Sequence, residues 1–321
     1  MKILAVQNRK GIGDMVIFLP FIEAISKKFA TPVSILVKEN SKAKYFLSNN
    51  KKIDKIIILD RDNDKNGRHD GISGSIRLIN DLKKHNFDKV FIFNSSLRFN
   101  LITKLAGIKE IFQYPLYEKK NQHVIQAAKN FLKNKLDLNI ESNPKIELDQ
   151  QEVENSIKNF NIKKDQINIL LGIGGSGPTK RIPSKIFLQF MNLVAEKKNN
   201  CRFFLATGKN NEEQKILNEI LQSKFNKQCT TLDDLNLKNT LPIIKNCSIS
   251  ICNDSSFSHL SAAIGIPTIV LMSDTPLLYG NYSPKMFPII PDGEETVTHN
   301  TLGKDKINPK KIFEQFNIIL S

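Results

Sequence analysis

Residues 248–272 read SISICNDSSFSHLSAAIGIPTIVLM, and this stretch decides the fold. Ser248–Cys252 is a short apolar run rich in isoleucine, the pattern of a strand buried on both faces. Asn253–Ser258 are, apart from Phe257, small and polar. Asp254 and Ser255 are N-cap types, so a helix opens here over Ser256–Ile264. Thr268–Met272 is a second apolar run. Strand, helix and strand in such quick succession form a crossover unit, and crossover units build parallel sheets.

The same grammar extends outward. Towards the C-terminus of the chain, Lys310–Leu320 is a final helix. Upstream, Glu152–Phe160, Ser184–Lys198, Glu212–Lys224 and Leu235–Lys245 read as helices, with strands at Ile167–Leu171 and Arg202–Ala206. The first half repeats the pattern. Lys2–Val6, Val33–Val37, Ile56–Leu59 and Val90–Phe93 are strands; Asp14–Phe29, Ser73–Lys84, Leu97–Ala106 and His123–Lys135 are helices. Leu136–Asp149 is polar, carries Pro144 and lacks a helical period, so it approaches a boundary. We therefore expect an α/β protein with two Rossmann-like domains, residues 1–150 and 151–321. They would face each other across a cleft, with the last helix free to pack back on the first domain.

Composition narrows the function. The chain has 321 residues, with 47 Lys and Arg against 32 Asp and Glu, a net charge of +15. That excess suits an anionic partner: nucleic acid, an anionic membrane or a phosphorylated small molecule. The longest apolar run is Met15–Leu19, extended past Pro20 by Phe21 and Ile22, far below the ~20 residues of a spanning helix. Met1–Val6 reads as a strand rather than a signal peptide. Four cysteines without CxxC spacing read as reduced, mostly buried thiols. No histidine and carboxylate cluster has ligand spacing, so no metal is expected.

Four motifs could carry chemistry. Lys10-Gly11-Ile12-Gly13-Asp14 follows the first strand; Asp14 suits both a helix cap and a general base at a strand exit. Gly172–Arg181 contains a literal GxGxxG. However, Pro178 and Pro183 delay the helix, and Thr207-Gly208 stands where a dinucleotide fold needs an acid. Pro178 also occupies the lysine position of a Walker A loop. What remains is a glycine-rich loop with Lys180 and Arg181, fit for a diphosphate or for a solvated turn. Asn253–Leu260 offers backbone N–H groups at a helix start, with His259 one turn in, as a core or a functional residue. Met272–Pro276 is a turn beside it. The polar stretch Asp60–Gly74 is an exposed loop or a recognition loop.

Taken together, these motifs resemble the lipopolysaccharide heptosyltransferases, inverting glycosyltransferases of the GT-B fold. Gly11-Ile12-Gly13-Asp14 resembles the family's Gly-x-Gly-Asp turn, and Lys180-Arg181-Ile182-Pro183 its Lys-Arg-Trp-Pro segment. Asn253–Thr268 is similar to its Asp-Thr-Gly-x-x-His-Leu-Ala-Ala-Ala-x-Gly-x-Pro-Thr signature. The resemblance implies Asp14 as catalytic base and Lys180 as the cation neutralising the donor diphosphate. It implies Gly174, Gly175, Thr179, Arg181, Glu212, Asp254, Ser255, Ser256 and His259 on the donor side, with Glu212 on the nucleotide ribose. On the acceptor side it implies Gly13, Arg98 and His123. Three departures stand out: Ser256 replaces a glycine, Ser273-Asp274-Thr275 replaces Gly-Pro-Thr, and Asn94-Ser95-Ser96-Leu97-Arg98 replaces Asp-x-Gln-Gly-Leu.

The implied activity is metal-independent transfer of a sugar, a heptose, from a nucleotide-diphosphate donor, ADP-linked, to a lipopolysaccharide-core or other glycan acceptor. No cofactor beyond that donor substrate is implied. The implied place is the cytoplasm, at the inner face of the plasma membrane. There Lys27-Lys28, Lys51-Lys52, Lys83-Lys84, Arg98 and Lys119-Lys120 would meet an anionic lipid-linked glycan. The rivals are a sugar-nucleotide binder without activity, a nicotinamide dehydrogenase and a basic nucleic-acid-binding protein. Against the last, the chain has no Trp and no basic–aromatic interleaving.

Overall fold

A computed structural model describes residues 1–61, 67–115, 123–175, 177–198 and 200–321. Ser176, Lys119, Lys120 and part of the Asp60–Gly74 loop fall outside them. The chain divides into two compact units, Met1–Pro144 and Lys145–Ser321.

The first unit contains β1 (Ile3–Gln7), α1 (Ile12–Phe29), β2 (Val33–Val37), β3 (Ile53–Ile58) and α2 (Gly71–Lys83). It continues through β4 (Lys89–Ile92), α3 (Leu97–Leu105), β5 (Glu110–Gln113) and α4 (Val124–Leu136). Its sheet is parallel, in the order β3-β2-β1-β4-β5. β1 and β2 are buried along their whole length, as strands covered by helices on both faces must be. An aromatic cluster fills one face: Phe93 meets Phe18, Tyr114 and Phe131 edge to face, and Phe91 stacks on Phe112. Leu78 and Leu82 of α2 and Phe99 and Ile102 of α3 join a second core with Leu4, Val6, Val90 and Ile92.

The second unit contains α5 (Gln150–Asn159), β6 (Ile167–Gly172), α6 (Ser184–Lys197), β7 (Cys201–Ala206), α7 (Asn211–Leu221) and β8 (Cys229–Thr231). α8 (Leu237–Lys245), β9 (Ile249–Asn253), α9 (Ser256–Ala263), β10 (Thr268–Leu271), β11 (Met286–Ile289) and α10 (Pro309–Leu320) follow. Its parallel sheet runs β11-β10-β9-β6-β7-β8. That is the doubly wound Rossmann order, and the first unit follows the same scheme one strand shorter. In both, the strand order reverses between two neighbours, β1 and β4 in one and β6 and β9 in the other.

The fold is thus the expected α/β one, with three additions. β5, β8 and β11 lie outside the strands expected from the sequence. Each lies at a sheet edge with its side chains mostly part-exposed; β5 and β8 carry polar residues and a proline interrupts β11, so none has the pattern of a central strand. Pro288 in β11 fits an edge position, where a missing N–H is tolerated. The four cysteines are free thiols. Burial pushes Cys229 and Cys252 up to about 12, which makes them inert packing groups.

The last helix packs within its own unit. Phe316 of α10 is fully buried, and its ring meets Phe190 of α6 edge to face at 5.6 Å. Replacing Phe316 by Ala should destabilise the second unit by about 3–5 kcal/mol. A urea titration would read this as a lowered midpoint. An unchanged midpoint would show that α10 is not part of the core.

Candidate active site

In doubly wound sheets, ligands bind outside the carboxyl ends of the strands, where the order reverses. The motif residues lie at those two places. In the second unit the reversal is spanned by Asn253, at the end of β9. Its Nδ2 donates to the carbonyls of Ile173 (2.8 Å) and Gly174 (3.2 Å), just past β6. The next residue, Asp254, is only 5% exposed. Lys180 Nζ donates to its Oδ2 at 2.7 Å, and His259 Nε2 stands 3.9 Å from its Oδ1. Burial pushes the Asp254 carboxyl up. Lys180, then His259, pull it down, and the net result lies below the ordinary carboxylate range. His259 Nδ1 shares a 2.8 Å hydrogen bond with the Tyr282 hydroxyl, whose own ionisation is pushed up by burial.

The glycine-rich loop is held from several sides. Glu213 Oε1 accepts the Gly175 N–H at 2.6 Å. Arg181 Nε donates to the Gly175 carbonyl at 2.9 Å. The Thr179 carbonyl accepts from Ser273 Oγ, and the Pro178 carbonyl from Lys304 Nζ. Gly208 is required by this arrangement, since a Cβ there would collide with Glu213 Oε2. Ser255 caps α9 by position, but its Oγ is buried without a partner. So are Thr207 Oγ1, at the end of β7, and Asn253 Oδ1. An unpartnered buried polar atom costs about 1–3 kcal/mol. Three of them lie at the exits of β7 and β9, beside the start of α9, where the Ser258 N–H donates to the Ser255 carbonyl at 3.2 Å.

Lys180, Arg181, Asp254 and His259 and the glycine-rich loop, all implied for the donor side, thus lie at these strand exits, while two of the implied residues are placed otherwise than their neighbours suggest. Glu212 is exposed, whereas its neighbour Glu213 is buried against Gly174, Gly175 and Gly208. A helix turns 100° per residue, so charge alone could not choose between two adjacent acids. Arg181 turns back onto its own loop. Asp274 is buried too, and its Oδ1 accepts the Leu302 N–H at 2.9 Å. Its charge holds a turn. Ser256 begins α9, part-exposed.

In the first unit, Asn94 Nδ2 donates to Asn8 Oδ1 (3.2 Å), which bridges the exits of β4 and β1. Gly11, at φ 100°, is the N-cap of α1. Asp14 is thus not the cap; it lies with Gly13 in the first turn. Its Oδ1 accepts from Arg9 Nε at 2.7 Å. His123 caps α4 instead. Its Nδ1 accepts the Ile125 N–H at 3.2 Å, and burial, with Arg9 second, pushes the ring down to about 4. It is neutral at pH 7. Arg98 binds α2: Nε donates to Ser75 Oγ at 3.1 Å, and an NH2 group to the His69 carbonyl. Beside these residues lies a cavity of about 900 Å³. Phe18, Phe93, Tyr114 and Phe131 line it with Asn8, Arg9, Asn94, Gln113 and Asn130. Aromatic faces with amide groups are a surface suited to a sugar ring.

Among the described residues no group of three His, Cys, Asp or Glu side chains is placed to hold a metal ion. No helix among them is long and apolar enough to cross a membrane.

Two α/β units, each with a parallel sheet in Rossmann order, are the architecture of GT-B transferases. The family model of glycosyltransferase family 9 (heptosyltransferase) matches residues 75–311, and the chain belongs to that family. It is a glycosyltransferase. It is 22% identical to lipopolysaccharide heptosyltransferase 1 of Campylobacter coli over 94% of this chain and 92% of that protein. Two solved structures share the fold. The glycosyl transferase family 9 protein from Veillonella parvula has a TM-score of 0.77 at 18% identity, covering 99% of this chain and 97% of its own. The E. coli ADP-heptose LPS heptosyltransferase II has a TM-score of 0.75 at 19% identity, covering 100% and 98%.

The Lys180–Asp254 pair makes a pH prediction. Asp254 has a depressed folded value, so its contribution is full above the ordinary carboxylate pKa of about 3.9 and is lost as pH falls through the folded value. Lys180→Met should destabilise the protein by about 1–3 kcal/mol at pH 7, with the difference closing below about pH 4. Denaturant melts across that range would check this. A deficit independent of pH would rule out the ion pair as its cause.

Proposed function

We propose that this glycosyltransferase moves a heptose from an ADP-linked donor to a lipopolysaccharide-core glycan, with inversion and without a metal ion. The observation that carries the donor half is Lys180, 2.7 Å from Asp254 at the β6/β9 reversal. Asp254 and His259 position that ammonium beside the first turn of α9. As the bond to the anomeric carbon breaks, the leaving diphosphate gathers negative charge. Lys180 and the α9 N–H groups stabilise that charge where it develops. Glu213, rather than Glu212, takes the nucleotide ribose, and the Thr207 and Ser255 hydroxyls supply further hydrogen bonds.

The acceptor half is carried by Asp14. Arg9 fixes one carboxylate oxygen, and the group accepts the proton of the attacking hydroxyl as that oxygen bonds to the anomeric carbon. General-base help of this kind is worth about 10²–10⁴ in rate. The amide-lined cavity of the first unit seats the acceptor's sugars, with His123 and Arg98 shaping its surroundings rather than binding charge. The relatives named for lipopolysaccharide support a lipopolysaccharide acceptor, and we read that acceptor as anionic, lipid-linked and met at a membrane surface.

Asp14→Asn should lower turnover with ADP-heptose by about 10²–10⁴ while leaving the donor-induced rise in melting temperature intact. Near-normal turnover would remove Asp14 as the base. In a thermal-shift series of ADP-, UDP-, GDP- and dTDP-linked sugars, the ADP-linked one should stabilise most, and Glu213→Gln should blunt that shift. A larger shift with another base would reassign the donor. Chelator should leave turnover unchanged; its loss on chelation would require a metal.

A further inference from the structure

α2 and α3 lie side by side on one face of the first sheet. Their inner faces are core: Leu78, Leu82, Phe99 and Ile102 are buried. Their outer faces should be polar on a protein surrounded by water, and they are not. Five of the ten exposed large hydrophobic side chains among the described residues stand there: Ile72, Ile76, Leu97, Leu101 and Leu105. Ile72 is 84% exposed and Leu105 61%. The spacings of four residues align Ile72 with Ile76, and Leu97 with Leu101 and Leu105, into two stripes. The Arg98–Ser75 hydrogen bond joins the helices beside both stripes, which makes them one patch.

Cations accompany the patch. Arg77, Lys83, Lys84, Lys104 and Lys109 are exposed, and the Arg68 side chain is half exposed. α3 has no acid, and the single acid of α2, Asp81, is already paired with Arg68 and Lys84. We propose that this face docks on an anionic lipid bilayer, with the aliphatic stripes entering the headgroup boundary and the cations meeting lipid phosphates. Aliphatic side chains ringed by Lys and Arg are the chemistry of an interfacial helix. Nucleic acid is a poorer match, because the patch offers no aromatic ring for a base to stack on. A second copy of this chain is poorer still, because it would set these cations against their own kind. The face also continues into the acceptor side. α3 starts just past the exit of β4, where Asn94 bonds to Asn8, the neighbour of Arg9. A docked bilayer would thus present a lipid-linked acceptor to the unit that carries Asp14, a purpose that rests on the acceptor proposed above.

The chain has no Trp, so Leu101→Trp provides a single reporter in the full protein. Its emission should shift to the blue with vesicles of phosphatidylglycerol and phosphatidylcholine, and stay put with phosphatidylcholine alone. In co-sedimentation with the mixed vesicles, the combined Ile72→Ser, Ile76→Ser, Leu101→Ser and Leu105→Ser variant should bind at least about tenfold more weakly. Arg77→Glu and Lys104→Glu should each cost about fivefold or more. All variants should keep the wild-type melting temperature and its rise with ADP-linked sugar. Wild-type vesicle binding by the serine variant, or no spectral shift, would overturn the proposal. Loss of duplex DNA binding or of self-association in that variant, with vesicle binding intact, would overturn it too and give the face to that partner. The donor shift is a separate readout: its absence in the wild type would defeat the proposed transfer reaction and leave the vesicle result standing.

Discussion

The second unit is organised around one buried carboxylate. Asp254 ends the exit of β9 almost without solvent, where an uncompensated charge would lose several kcal/mol of hydration. Lys180 supplies the compensation, and to reach it the chain after β6 must fold back over the sheet edge. That return is fixed by Glu213 on Gly175, by Ser273 on Thr179 and by Lys304 on Pro178. Each of these has its own requirement. Glu213 needs Gly208 to lack a side chain, and needs α7 to begin where Asn210 accepts its N–H at 3.0 Å. Ser273 stands in a turn whose Asp274 holds Leu302, a residue in the left-handed region at φ 51°. One ion pair therefore explains why residues from four separate segments have the identities they do.

The first unit repeats the plan with the opposite balance. Its pair, Arg9 and Asp14, is partly solvated, with 45% and 19% of the two side chains exposed. Such a pair adds little to stability, about 0–1 kcal/mol. What it does is hold the carboxylate in one orientation at the start of α1. The contrast follows from the chemistry proposed for each side. A base must exchange a proton with a hydroxyl and stay accessible. A counterion for a diphosphate works better where water cannot screen it.

Most of this was legible in the sequence. Central parallel strands are buried on both faces, so β1, β2, β6, β9 and β10 announce themselves as short, mostly apolar runs rich in Ile, Leu and Val. The edge strands β5, β8 and β11 do not: β5 and β8 carry the polar side chains that a strand with one neighbour tolerates, and β11 carries a proline. The glycine-rich loop and the Asn253–His259 segment were legible because their residues are consecutive. What escaped depended on direction. Glu212 and Glu213 differ only in which side of α7 they face. Asp14 was read as a possible cap, and Gly11 took that position because a φ of 100° is open to glycine. His123 caps α4 and Arg98 ties α3 to α2, local contacts that depend on where each side chain turns. Nothing in the neighbours of Arg9 signals that its side chain bends forward to Asp14.

The net charge of +15 meant less than its distribution does. Lys27 and Lys28 lie in the last turn of α1, Lys83 in that of α2, Lys104 in that of α3, and Lys133 and Lys135 in that of α4. Cations there offset the negative end of the helix dipole by about 0.3–1 kcal/mol each. Lys52, from another of the basic pairs, is bound to Glu23 at 2.7 Å. In a parallel α/β unit every crossover helix ends where the next strand begins. Helix-stabilising lysines therefore gather along the strand-entry edge, opposite the edge where ligands bind. Much of the basic excess thus arises from the fold alone and argues for no partner. A cation becomes informative only where it coincides with something the fold does not require. On this chain that means a buried carboxylate beside Lys180 and exposed leucines beside Lys104.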